Sequence, residues 1–152
     1  TRNQSFAKEP NFTHAQSIHH MNKTLIILTF LLNSCMTGKQ IAKTGVEKIQ
    51  FGTGGGFTGV ETMYTLNQDG DIKDKSDSVL YNMSKKDVLE LFEKASKNKD
   101  IEFQKPENLY SFFTIITESD TNRIVWGQES TAVPPDILDL HKNLMNRTTK
   151  NK

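Results

Sequence analysis

The stretch FGTGGGFTGVETMYTL, Phe51 to Leu66, places five of the chain's nine glycines within eight positions and then alternates like a strand. Just before it, Glu47-Lys48-Ile49-Gln50-Phe51 alternates polar and apolar, which sets Ile49 and Phe51 on one face of a first strand. After it, Val60, Thr62, Tyr64 and Leu66 share one face of a second strand, rich in β-branched and aromatic side chains. Gly54-Gly55-Gly56-Phe57-Thr58-Gly59 also meets the spacing G-x-G-x-x-G. A dinucleotide fingerprint needs a helix directly after its last glycine, so that the helix N-terminus faces pyrophosphate. Here β-alternation follows Gly59, and the next helix start is Ser84. The glycines are therefore expected to connect two strands through backbone with φ > 0, or to allow close backbone packing. Two readings of Phe57 stay open: an exposed aromatic used for recognition, or a ring packed under the glycines.

Outward from this centre the elements follow in order. Asn67-Gln68-Asp69-Gly70 has hairpin-turn chemistry, and a short strand is expected around Ile72. Ser84 opens a helix, with Asp87 three residues on and Met83 and Val88 placed for a hydrophobic staple. Val88, Leu91, Phe92 and Ala95 recur at helical spacing until Lys97-Asn98-Lys99. Leu109–Thr117 (LYSFFTIIT) is apolar on both faces, as in a strand near the middle of a sheet. Ser119 to Asn122 turns the chain, and Arg123 to Trp126 returns it. Pro134-Pro135-Asp136 starts a last helix, whose apolar side carries Ile137, Leu138, Leu140, His141, Leu144 and Met145. The expected fold is α+β: a small antiparallel sheet with two helices packed on it, in the order strands, helix, hairpin, helix.

The N-terminal part reads differently. Met21-Asn22-Lys23 precedes a mostly apolar run, Thr24 to Leu32, which ends in Asn33-Ser34-Cys35, the chain's single cysteine. A basic start, a short greasy middle and small polar residues make the three parts of a secretory signal. Leu32-Asn33-Ser34-Cys35 resembles the lipobox of bacterial lipoproteins. The resemblance implies cleavage before Cys35 and attachment of lipid to it, and hence a cell-envelope location with the protein anchored to a bacterial membrane. A lone thiol in an exported chain has no internal disulfide partner, whereas two or more acyl chains give stable anchoring. Residues 1–20 then read as an extension that is non-native or removed with the signal, 21–34 as the signal peptide, and 35–45 as a lipidated polar tether. Residues 46–147 read as the domain and 148–152 as a polar tail.

The net charge of +1 leaves no electrostatic footprint for nucleic acid. Once the signal is removed, His141 is the one histidine left, and it sits among apolar helix positions as a packing residue would. Zinc needs about three or four Cys, His or carboxylate ligands, and no such cluster, nucleophile motif or cofactor fingerprint is legible. Asn67 to Asp71 has alternating oxygen side chains, but its glycine falls one place early for a calcium loop and Ser78 stands where a bidentate glutamate belongs. No enzyme activity, metal or cofactor is expected.

Ile49-Gln50-Phe51, followed by Gly55-Gly56-Phe57-Thr58-Gly59 and a strand, resembles the opening of the emfourin family, small inhibitors of thermolysin-like (M4) metallopeptidases. The order of elements from Val46 to Met145 is similar. The resemblance implies binding rather than turnover, with Gly55, Gly56, Phe57 and Gly59 as the protein-binding surface and a secreted or envelope metallopeptidase as partner. The alternative is a structural or assembly lipoprotein of the envelope without inhibitory activity.

Overall fold

The computed structural model describes residues 38–127, 130 and 132–149. Cys35, the signal peptide, the N-terminal extension and the last three residues of the polar tail lie outside the described residues. The α+β class holds, with a larger sheet and one more helix than expected. The elements run α1 (38–43), β1 (Val46–Gly55), β2 (Thr62–Asn67), β3 (Asp71–Lys73), β4 (Val79–Asn82), α2 (Lys85–Lys97), β5 (Gln104–Lys105), β6 (Leu109–Thr117), β7 (Thr121–Gly127) and α3 (Pro135–Thr149). The seven strands lie in the order β4-β3-β2-β1-β6-β7-β5. All neighbours are antiparallel except β5 and β7.

Alternation decides which face of the sheet is covered. Ile49 and Phe51 on β1, Leu66 on β2, Phe113 and Ile115 on β6, and Ile124 and Trp126 on β7 all join one buried cluster. The helices complete it with Val88, Leu91, Phe92 and Ala95 of α2 and Ile137, Leu140 and Leu144 of α3. Each buried Val, Leu, Ile or Phe side chain here contributes about 1.5–3 kcal/mol by leaving water. A register shift between Val46 and Lys48 lets Val46 also face the core, because one extra residue on a strand reverses the alternation.

Local chemistry at the α2 start matches the sequence reading. Ser84 is extended (φ −63°, ψ 147°) and its hydroxyl accepts from the Asp87 amide at 3.2 Å. Met83 and Val88, buried at this entry, form the staple. Ser84→Ala should cost about 1 kcal/mol in a urea titration; an unchanged midpoint would show that the cap adds nothing.

Three boundaries differ from expectation. The first strand runs through Gly55 rather than ending near Phe51, because β6 continues to pair with it as far as Gly55↔Leu109. The second begins at Thr62, leaving Val60 exposed in the connection. Strands β4 and β5 were not foreseen; both are short, and neither has an apolar alternation long enough to read. The stretch read as a tether is helical over 38–43, with Ile41 only 1% exposed and part of the core cluster. The Thr44 carbonyl accepts from the Ser96 hydroxyl at 2.8 Å, which joins this segment to α2. At the other terminus α3 continues to Thr149, and Thr148, read as the start of the tail, is buried.

Candidate functional site: the glycine-braced Phe57 loop

The five glycines do two different jobs. Gly52 and Gly54 are strand residues on the face of β1 opposite the core, two apart and therefore side by side on that face. A Cβ on Gly52 would lie 1.9 Å from the Thr62 carbonyl oxygen and 3.1 Å from the Phe112 ring. One on Gly54 would lie 2.7 Å from the Tyr110 ring and 2.8 Å from Glu61 Cγ. The missing side chains leave a trough, and the chain entering β2 folds down into it. Along this trough Glu61 crosses β1 and reaches β6 and β7. Its Oε1 accepts from the Tyr110 hydroxyl at 2.8 Å and from the Arg123 guanidinium. That guanidinium stacks 4.1 Å over the Phe112 ring, a cation–π contact that holds the arginine flat. The Lys75 ammonium donates to the Glu61 carbonyl. The Glu61 carboxylate raises the Tyr110 pKa, chiefly through the hydrogen bond that the neutral phenol donates.

Gly55, Gly56 and Gly59 shape the loop itself. All three have positive φ (+94°, +72° and +62°), the region that side chains with Cβ rarely enter. The Gly56 amide donates to the Asn108 carbonyl at 2.7 Å, and the Gly59 amide to the Gly56 carbonyl at 3.2 Å. Phe57 and Thr58 form the crown of this turn. Phe57 is fully exposed, and Val60 (66%) and Leu109 (48%) are exposed beside the loop's two stems. Of the two readings of Phe57, the exposed one holds. The loop is thus fastened on one side to Asn108 and on the other through Glu61 to two strands, with an aromatic ring held out in water.

Of the residues expected to form a surface, Gly56, Phe57 and Gly59 lie together in the loop, and Gly55 is the last residue of the strand beneath them. Sequence reading missed Glu61, Tyr110, Phe112 and Arg123. The recoverable signal is the period-two spacing of Gly52 and Gly54, which announces a bare strip on one strand face. Which side chain fills such a strip depends on the pairing register.

His141 ties the last helix to the same strand. Its Nε2–H donates to the Gly52 carbonyl at 3.0 Å, and its ring meets Trp126 edge-on at 5.0 Å. Burial lowers its pKa from the ordinary 6.5, outweighing the opposing effect of the Gly52 hydrogen bond. The unfolded chain then binds the proton more readily than the folded one. The corresponding stability is whole above about pH 6.5 and declines as pH falls toward and through the lowered folded-state value. His141→Gln, which keeps a donor without titrating, should flatten that slope in urea titrations between pH 7 and 5, about the range in which histidine titrates. An unchanged slope would assign it to other groups.

Among the described residues no group of three or more His, Cys, Asp and Glu is arranged to hold a metal ion. No described helix is long and apolar enough to cross a membrane. A polar groove of about 150 Å³ between α2 and α3, lined by Asp87, Glu90, Asp136, Asp139, Lys94 and Arg147 among others, falls below the roughly 300 Å³ at which small-molecule pockets begin. The segment Gly54 to Gly59 joins two antiparallel strands, and helix α2 starts only at Lys85. The described site is a protruding loop fastened at both stems, with an exposed phenylalanine at its crown. No protein-family model matches the chain, and no curated protein matches it.

Proposed function

We propose that this chain is a membrane-anchored lipoprotein of the cell envelope, held by lipid on Cys35, whose α+β domain binds another protein through the Phe57 loop. The observation that carries the binding reading is a fully exposed phenylalanine on a loop braced at both stems. Binding by a preordered loop avoids the entropy cost of ordering it, and exposed aromatic anchors supply much of the energy at protein interfaces. In its specific form the partner is a thermolysin-type metallopeptidase, inhibited in the manner the emfourin resemblance implies. A stiff loop suits that role, because an inhibitor must occupy a substrate cleft while withholding the backbone flexibility that cleavage requires.

Titration of the purified domain against a panel of thermolysin-type peptidases tests the specific form. Stoichiometric loss of peptidase activity is expected, and full activity at micromolar concentrations of folded domain would remove it. Metabolic labelling with a palmitate analogue tests the anchor: label should vanish in Cys35→Ala, and label that persists would defeat the assignment.

A second reading, an assembly lipoprotein without inhibitory activity, draws on a different feature. Strand β4 is a sheet edge with Val79 53% exposed, where a partner strand could add. Crosslinking in intact cells separates the two readings: a peptidase recovered through Thr58 supports the first, a non-peptidase recovered through Val79 the second.

A further inference from the structure

A partner can take an exposed segment by its backbone or by its side chains. Backbone reading is strand addition: the segment lies extended, with φ of about −120° to −140°, and its amides and carbonyls pair with a neighbouring strand. Peptidases that hold a substrate extended in a cleft use the same geometry. The Phe57 loop is built against it. Three of the residues from Gly55 to Gly59 have positive φ, at +94°, +72° and +62°. The Gly56 carbonyl accepts from the Gly59 amide at 3.2 Å, which closes Gly56-Phe57-Thr58-Gly59 into a β-turn. The Gly56 amide is spent on the Asn108 carbonyl at 2.7 Å. Straightening the loop would break both bonds, so the backbone groups that a strand would offer are already in use.

What the turn leaves free is a side chain. Phe57 stands fully exposed at the crown. A phenylalanine ring buries about 150–250 Å² at most, against about 800 Å² per partner in an interface of ordinary size. The ring is therefore an anchor and not the whole contact. The remainder must come from the residues exposed around it: Val60 and Leu109, which are apolar, and Lys75, Lys105 and Glu107, which are charged. The Lys75 ammonium also donates to the Glu61 carbonyl, which ties the loop between β3 and β4 to the base of the Phe57 loop. The surface is an apolar centre with a rim of both charges.

We propose that the loop is read by its side chain and not by its backbone. The partner is a protein that offers an apolar recess to the Phe57 ring and meets the mixed-charge rim with polar groups of its own. It can neither add the loop to a sheet nor cut it. This deepens the protein-binding reading given above and rests on it for the existence of a partner.

The test treats the full chain with chymotrypsin, which cuts after aromatic residues, and with subtilisin, which cuts broadly; neither is a metallopeptidase. Cutting of the Phe57–Thr58 bond, followed by mass spectrometry, should be at least about a hundredfold slower than in a synthetic peptide of residues 51–66, because it tracks the population of opened loop. Hydrogen exchange gives a second reading: the Gly56 and Gly59 amides should be protected, and those of Phe57 and Thr58 should exchange faster. Cutting at a rate close to the peptide's, or a Gly59 amide as fast as that of Thr58, would overturn the proposal. A peptidase that the panel shows to be inhibited tests the recess. Phe57→Leu should bind more weakly than wild type and more tightly than Phe57→Ser, with the loop left uncut; equal affinity of all three, or a cut at Phe57, would mean that the backbone is read. If no peptidase is inhibited, the inhibitor reading falls, and the proteolysis and exchange results still uphold or overturn the side-chain reading.

Discussion

Gly55→Ala should destabilise the domain severely, while Gly59→Ala, four residues away, should cost far less. Both glycines have positive φ, so each alanine meets the left-handed backbone penalty of about 1–2 kcal/mol. The difference is space. At Gly59 a Cβ meets nothing within 4 Å, whereas at Gly55 it would sit 2.0 Å from the Asn108 carbonyl oxygen, just before the strand paired with β1. Backbone cannot swing aside as a flexible side chain can, so β1 and the segment entering β6 must part. Overpacking of this kind costs about 1–3 kcal/mol and occasionally more, which brings the Gly55 total to roughly 2–5 kcal/mol against a domain stability of about 5–15 kcal/mol. Urea midpoints of the two variants provide the comparison. Equal midpoints would mean that the Gly55–Asn108 approach is not fixed, and the loop would lose one of its two stems.

Phe57→Ala should have the opposite profile: no effect on folding and a large effect on binding. The ring lies wholly in solvent, so its removal opens no cavity and should shift stability by less than about 0.5 kcal/mol. If the ring anchors an interface, truncation should cost about 2–4 kcal/mol of binding, a loss of roughly 30-fold to nearly a thousandfold in affinity. The measurement is titration of wild type and variant against the captured partner or, for the inhibitor reading, against the sensitive peptidase. Affinity retained within a factor of about three, less than 1 kcal/mol, would move the binding surface elsewhere, with the β4 edge the next place to look.

The sequence carried most of the secondary structure because its signals were local. The Ser84 cap, the Met83–Val88 staple, the alternation around Ile49 and Phe51, and the proline pair at the start of α3 act within a turn or two, and each sits where its chemistry placed it. The short strands escaped notice for the same reason. Gln104–Lys105 is a strand only because β7 lies beside it, and Val79–Asn82 only because β3 does. The glycine cluster was legible as a strand connection. It was not legible as a trough plus a turn, since that division depends on Thr62 and Glu61 folding back over Gly52 and Gly54.

What the sequence determined by itself is the α+β class, the starts of α2 and α3, the inward faces of the long strands and the position of the glycine-rich connection. These follow from periodicity and capping, which depend on near neighbours along the chain. Only the tertiary structure decided that Phe57 points into water, that Glu61 bridges to Tyr110 and Arg123, and that helix 38–43 docks through Ile41. Each of these depends on contacts between residues far apart in the chain, 49 positions for Glu61 and Tyr110 and 62 for Glu61 and Arg123. Sheet register sets such contacts, and local periodicity does not encode it.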